Sequence, residues 1–346
     1  MVRRITIKDI ARKAGVSPQT VSRAINDKGE IRPETRARIL RIANQLGYRP
    51  NSVARSLATQ RTRNVGLVIP DVSNPFFASI ARGIQDAAHQ SQYNVFLCNT
   101  DESAQREQSA ILSLEGQRVD GILLCSSRLP ERELVKLAQR YQPLVLVNRC
   151  IPHVQTGCVL VDDAHAMQEA VQYLLALGHR HIGLLAGPAE SHSGRQRTQG
   201  YHRAMRASDI EPSANWQIHC PPQVTGGQAA ARALLKRAPE LTVLVAYNDL
   251  VAVGALRACA ELELRVPDDC AILGCDDVLL AALVSPPLTT IHIPTYELGQ
   301  KAISLLLTMI SSEAAQPETI TVTPTLVVRG STSRPRSLLD SERSPL

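Results

Sequence analysis

No uninterrupted apolar run of about twenty residues occurs in the 346-residue chain, so it predicts no membrane-spanning helix. Its first nine residues, Met1-Val-Arg-Arg-Ile-Thr-Ile-Lys-Asp9, carry positive charge but no apolar stretch or small-residue cleavage site follows. No signal peptide is expected, and the cytoplasm is the expected compartment. The eight cysteines form no CxxC pair, and several lie in apolar runs such as Val95-Phe-Leu-Cys98 and Ile122-Leu-Leu-Cys125. They read as small buried thiols in a reducing compartment. None of the nine histidines falls in an HExxH pattern, so structural or surface roles are expected and no metal. A GxGxxG turn, a Walker loop and a GxSxG elbow are likewise absent, which argues against an enzyme and against a cofactor. The Asp pairs at 162, 268 and 276 read as helix caps rather than metal ligands.

What is present is a sizeable core and a lopsided charge. With 44% hydrophobic residues, the chain can fill two or three domains. Residues 1–63 hold 15 Lys and Arg against 4 Asp and Glu, a net of +11, while the remaining 283 residues carry −5. A small basic head on a mildly acidic body is the asymmetry expected when one domain approaches a polyanion, and nucleic acid is the first candidate.

The head reads as helices. Thr6 stands three residues before Asp9 in a capping-box-like start, and Ile7, Ile10, Ala11 and Ala14 follow at helical spacing up to Gly15. Ser17 then supplies an N-cap with Pro18 at the first helical position of a second helix running to Asn26. Two short helices joined by a tight glycine turn make a helix-turn-helix, and a third helix from about Pro33 to Leu46 covers them.

The runs "TIKDIARKAGVSPQTVSRAIN", "GYRPN" and "SVARSLATQRT" resemble the LacI/GalR family of bacterial transcription repressors. The resemblance implies a homodimer on a pseudo-palindromic double-stranded DNA operator, with the second helix in the major groove. It maps Pro18, Gln19 and Arg23 onto base-reading positions. Gln can bond adenine in two places and Arg guanine in two places, while Pro offers an apolar edge. Thr20, Ser22 and Asn26 are better placed for phosphates, which set register, and Thr6 and Ser17 are counted with them among the DNA-binding residues. The family's short hinge helix corresponds to residues 51–58. Leu57 matches its minor-groove wedge, with Asn51, Val53, Ala54 and Arg55 around it. Eight residues are too few for a helix stable alone in water. One departure is Arg32 before the third helix, where many members have Ser or Thr; a weaker cap costs about 1 kcal/mol.

From Val65 onward, apolar runs of three to six residues alternate with amphipathic helical stretches, which implies two doubly wound parallel sheets with a cleft between them. The family's periplasmic-binding-protein-like fold agrees, with chain crossovers near 161 and 290. Ligands in such sheets bind beyond the carboxyl ends of the strands. The polar residues there include Asn74, Asp101, Arg149, Asp162, the loop Ser191 to Arg197, Asn248 and Asp276. By match to the family, Phe76 or Phe77, Arg149, Arg197, Asn248 and Asp276 line the effector site, with Asp101 and Asp162 beside them. The domains are expected at 1–50, 51–63 and 64–330, with a polar, disordered tail at 331–346 that builds no coiled coil.

The expected function is a cytoplasmic, nucleoid-associated repressor under allosteric control. A free-standing sugar-binding protein is the alternative of another class, and a doubly wound enzyme stands third. Similarity of "NPFF", "LCNTD", "RVDGILL" and "PPLTTIH" to the ribose-repressor branch implies a monosaccharide or sugar acid as effector. A purine is the rival, but Cys220-Pro-Pro-Gln223 lacks the aromatic residue that a purine-responsive branch carries there.

Overall fold

The computed structural model describes residues 5–25, 29, 31–48, 61–152, 154–312 and 317–335. The chain divides into two compact units, Met1–Thr62 and Arg63–Leu346. Asn26 and the whole expected hinge helix, Asn51, Val53, Ala54, Arg55 and Leu57 included, lie outside the described residues.

The first unit holds helices α1 (Ile7–Ala14), α2 (Pro18–Ile25) and α3 (Pro33–Gln45). At the start of α1 the Asp9 carboxylate accepts hydrogen bonds from Thr6 N (3.0 Å) and Thr6 Oγ1 (2.7 Å). Gly15 ends the helix at a φ of 63°, in the left-handed region, with its N–H on Ala11 O. Ser17 Oγ accepts from Thr20 N (3.1 Å) and caps α2. Arg32 provides no side-chain cap for α3. Ile10, Val21, Ala24 and Ile39 meet in a small core of their own. Arg36 Nε donates to Ala24 O (3.4 Å) and so satisfies a carbonyl at the end of α2.

The second unit begins β1 (Asn64–Ile69), α4 (Pro75–Gln90), β2 (Asn94–Asn99), α5 (Ala104–Gly116), β3 (Ile122–Cys125), α6 (Glu131–Arg140), β4 (Leu144–Val147) and β5 (Gly157–Val161). It continues α7 (Asp163–Ala176), β6 (Ile182–Ala186), α8 (His192–Ala207), β7 (Gln217–His219), α9 (Val224–Arg237), β8 (Val243–Ala246), α10 (Asp249–Glu261), β9 (Ala271–Asp276), α11 (Leu279–Leu283) and β10 (Thr289–His292). It closes with α12 (Thr295–Ser311), β11 (Thr319–Val322) and β12 (Thr325–Val327). One sheet has the order β11-β5-β4-β3-β1-β2 and is parallel throughout. The other has the order β12-β10-β9-β8-β6-β7 and is parallel except where β12 pairs β10.

Register shows why these strands read as continuous apolar runs. Val68, Leu124, Leu146 and Cys158 lie side by side and face one core, while Leu67, Leu123 and Val145 face the other. Both faces are covered, as parallel sheets require. Helices α4 and α12 pack so closely that a Cβ on Gly83 would strike Tyr296 O, and one on Gly299 would strike Ile80 O.

Three expectations are corrected. The chain passes between the sheets three times, after β5, after β10 and between β11 and β12, where two passages were expected. The tail does not begin at 331. Ser331 is fully buried between two strands: its Oγ donates to Ile272 O (2.6 Å) and accepts from Thr289 N (2.8 Å), and its carbonyl accepts from Ile272 N (2.8 Å). Thr332 Oγ1 lies 3.0 Å from Tyr173 Oη, so this stretch extends the second subdomain, and only 336–346 lie outside the described residues. Finally, two of the eight cysteines are not free thiols, because Cys150 and Cys158 form a disulfide with Cα atoms 5.6 Å apart.

Candidate functional site

In the head, Val21 and Ala24 point into the core, which turns Gln19 and Arg23 outward on the opposite side of α2, and Pro18 is exposed at the helix start. Thr6 and Ser17 are exposed at the helix starts they secure, and Thr20 and Ser22 are half-buried. Thr20 Oγ1 is 2.8 Å from Ser17 Oγ. The exposed side of α2 thus offers an apolar edge, an amide and a guanidinium, and the first unit carries most of the excess positive charge.

In the body, side chains from the carboxyl ends of strands in both sheets enclose one cavity. Asn74, Phe76, Phe77, Arg197, Asn248 and Asp276 line it together, six of the nine residues expected there. Asn74 caps α4 by accepting from Phe76 N (3.0 Å), and Asn248 caps α10 by accepting from Val251 N (2.8 Å). Capping fixes both amides at the rim, and Asn248 Nδ2 is left to donate to Pro222 O (3.3 Å). Phe76 and Phe77 meet edge to face at 5.1 Å.

Arg197 is the electrostatic centre. It sits in the second turn of α8, not in a loop, because Ser191 Oγ accepts from Gly194 N (3.1 Å) and starts the helix earlier than expected. Its Nε donates to Asp163 Oδ1 (2.7 Å), its Nη1 to Tyr247 O (2.5 Å) and its Nη2 to Asp276 Oδ1 (3.4 Å). The guanidinium lies 5.1 Å from the Tyr247 ring centroid. Burial opposes its charge, but Asp163, Cys275 and Asp276 outweigh that and hold it well above its ordinary pKa. Burial pushes the Asp276 carboxyl well above the usual carboxylate range, with the Arg197 charge opposing.

The other three expected residues lie elsewhere, each one position from a residue that belongs to the cluster. Asp101 is exposed and pairs with Arg106, while Glu102 lines the cavity. Arg149 is buried behind the wall, with Nη1 on Ser127 O (2.8 Å) and Leu129 O (2.7 Å), while Asn148 lines the cavity. Asp162 is exposed and caps α7 through His165 N (3.2 Å), while Asp163 turns inward to Arg197. Of the other Asp pairs, Asp269 holds Arg265, and Asp277 holds His292 and Arg329, so neither is a helix cap.

Sequence reasoning missed Glu102, Ser126, Pro222 and Tyr247 in the lining; Asn148, beside Arg149, and Ser193, inside the Ser191 to Arg197 stretch, stood among the polar residues at the strand ends but were not matched to the site. It also missed Arg128, whose Nε donates to Glu102 Oε2 (2.5 Å) and whose guanidinium meets the Tyr247 side chain of the other subdomain. Tyr247 Oη is in turn 3.0 Å from Ser191 Oγ. Glu102, Ser126, Asn148 and Asp276 all have left-handed φ values, between 47° and 118°. Asn148 Oδ1 is buried without a hydrogen-bond partner. Backbone strain and an unsatisfied polar atom converging on one cavity mark a place where binding, rather than stability, sets the residues.

A helix-turn-helix head with a reading face, joined to a two-sheet body with a polar cavity between its subdomains, defines a DNA-binding regulator that responds to a small molecule. Comparison with known proteins agrees at both ends of the chain. The model for bacterial regulatory proteins of the lacI family matches residues 6–51, and that for periplasmic binding proteins and the sugar binding domain of the LacI family matches residues 62–329. The ribose operon repressor of Escherichia coli (strain K12) is 34% identical over 330 residues, which span 94% of this chain and 99% of that protein. The lac repressor dimer bound to operator and the anti-inducer ONPF superposes with a TM-score of 0.87 at 28% identity, covering 96% of this chain and 100% of that one. The cellobiose complex of the transcriptional regulator CelR gives 0.73 at 32% identity, covering 95% and 100%. The chain belongs to the LacI family of transcription regulators.

Proposed function

We propose that the chain is a homodimeric repressor of a pseudo-palindromic operator, without catalytic activity, acting at the nucleoid in the bacterial cytoplasm. Its effector is a monosaccharide or sugar acid held between the two subdomains. The observation that carries the effector reading is the cavity itself: aromatic faces from Phe76, Phe77 and Tyr247 stand beside amides, carboxylates and one buried guanidinium. A sugar ring stacks its C–H face on such rings, and its hydroxyls both donate to carboxylates and accept from guanidinium. The cavity gives the centre of a water-sized sphere only about 20 Å³, room for about one water and not for a sugar ring. Ligand entry therefore has to part the subdomains and break the contact between Arg128 and Tyr247, which links binding to the shape of the body.

Dimer formation is supported by two sets of exposed apolar side chains. Phe96 and Leu97 stand on the edge strand β2, and Leu279 and Leu283 on α11 are 76% and 70% exposed. A monomer leaves such surface in water, whereas a two-fold dimer would cover it and present two reading helices.

The test uses the full chain. Ribose, galactose, gluconate, galacturonate, hypoxanthine and guanine are compared by thermal midpoint, and their effect is then read on a duplex selected from random sequence. The expected result is a rise with one sugar or sugar acid and a change in duplex affinity with the same compound. Binding to the duplex should fall steeply with salt, and Arg23→Ala should cost about 1–3 kcal/mol and relax one base position. A rise with a purine alone would replace the sugar, and failure to select any duplex would overturn the reading.

A further inference from the structure

The Cys150–Cys158 pair takes no part in lining the cavity, yet it closes the connection that carries Asn148 into it. Strand β4 ends at Val147, and Asn148 N donates to Val159 O (2.9 Å), so the Asn148 side chain, with Nδ2 on Ser126 Oγ (3.5 Å) and Oδ1 without a partner, hangs at the carboxyl end of the β4–β5 ladder. Cys158 lies in β5 beside Leu146 of β4 and is fully buried; Cys150 is half-buried and two residues beyond Asn148. Their Cα separation of 5.6 Å falls inside the range a disulfide needs. The other six cysteines are free, and five of them are buried.

In a compartment that keeps thiols reduced, a disulfide is a transient or sensing bond and not a permanent staple. We infer that Cys150 and Cys158 form a reversible thiol–disulfide site whose closure immobilises the 148–156 connection and with it Asn148 at the cavity wall. The consequence for ligand entry rests on reading the cavity as the effector site. The oxidant belongs to the class of low-molecular-weight disulfides. The Cys150 thiolate attacks one sulfur of the reagent, whose S–S bond breaks; one thiolate leaves and takes up a proton, and a mixed disulfide remains on Cys150. The Cys158 thiolate then attacks Cys150 Sγ and expels the second thiol. Two protein thiols have lost two electrons to the reagent disulfide, which has become two thiols, and excess thiol runs the steps backward.

Full-length protein is equilibrated in glutathione buffers from fully reduced to fully oxidised, then alkylated and digested for mass spectrometry. The expected product is one peptide pair joined through Cys150 and Cys158, appearing across a single midpoint. Amide hydrogen exchange over 148–156 should slow by about tenfold on oxidation. Cys150→Ser should exchange alike in both buffers, whereas Cys98→Ser should respond like the unaltered protein. Full alkylation of both residues in the oxidised buffer, a link to a different cysteine, or a link without change in exchange would each overturn the inference. Because exchange is read on the protein alone, its result is separable from the outcome of the sugar screen.

Discussion

Replacing Arg197 with Met removes the charge at the centre of the cavity wall while keeping most of the apolar stem. Two carboxylates are then stranded, Asp163 at 5% and Asp276 at 6% side-chain exposure, together with the Tyr247 carbonyl. Breaking a buried ion pair by removing one partner costs about 3–5 kcal/mol, because the charge left behind is neither solvated nor paired. For a body of this size each kcal/mol moves the melting midpoint by about 2–4 °C, so Arg197→Met should melt about 10 °C below the unaltered protein at pH 7.5. The deficit should shrink at pH 5.5. Burial already pushes the Asp276 carboxyl up, and a stranded carboxyl that takes a proton no longer needs the guanidinium. Adding Asp276→Asn should recover roughly half of the loss, since one of two stranded carboxylates is then gone. Thermal unfolding followed by circular dichroism at the two pH values measures all three quantities. A variant that melts within about 2 °C of the unaltered protein at pH 7.5, or a deficit that grows on acidification, would refute this account. Loss of ligand response in any Arg197 variant must accordingly be read below its own melting range.

Asp249 is a second buried carboxyl, holding Thr290 Oγ1 (2.6 Å) and Val278 N (2.9 Å), and burial pushes it up to about 7. The folded protein therefore holds a proton there between about pH 4 and 7 that the unfolded chain releases, and stability falls as pH rises through that window, by about 4 kcal/mol in total. Urea midpoints at pH 5 and 7.5 should differ less for Asp249→Asn than for the unaltered protein; equal differences would contradict the assignment. Gly83→Ala should reverse the usual preference for Ala in a helix, because the added Cβ strikes Tyr296 O, and it should destabilise by about 2–3 kcal/mol. Gly116→Ala, with nothing within 4 Å of the added Cβ, should stabilise slightly, and a chemical denaturation series in which both behave alike would count against the close α4–α12 contact.

Elements with a strong local pattern were legible. The head was readable because capping, glycine and proline signals are short-range: Asp9, Gly15, Ser17 and Pro18 each act within four residues of their own position. Central strands such as β4 and β6 were readable because they are apolar on both faces and bounded by polar residues. Three of the four edge strands were not, the fourth, β2, being readable from its apolar run Val95 to Cys98. Strand β7 is three residues long, β11 alternates Thr with Ile and Val over four, and β12 follows it after two residues; none buries enough apolar surface to stand out in sequence. Their pairing with β6, β5 and β10 is set by chain passages of long range, and so was the docking of Ser331 against Ile272. The bond between Cys150 and Cys158 was hidden for the same reason, since eight residues of separation say nothing until β4 and β5 are in register.

Three of the nine residues assigned to the candidate site lie one position from a residue that faces it, and the displacements have a common origin. Sequence reasoning can say that polar residues at a strand's carboxyl end surround a ligand, but successive side chains there point to opposite faces. Which of two neighbours faces the cavity depends on the register of the strand and on the turn that ends it. After β2 the chain turns through left-handed residues at Asp101 and Glu102, which sends Asp101 outward to Arg106 and Glu102 to Arg128. After β4 a left-handed Asn148 keeps its own amide at the cavity and directs Arg149 to the carbonyls of Ser127 and Leu129. After β5 the cap of α7 claims Asp162 and leaves Asp163 for Arg197. In each pair the residue assigned to the site turns away, and its neighbour takes the inward place, Glu102 and Asn148 at the cavity and Asp163 on Arg197. Residues with no such choice to make, Phe76 and Phe77 in the first turn of α4 and Asn248 at the cap of α10, face the cavity because the helix start alone fixes their direction.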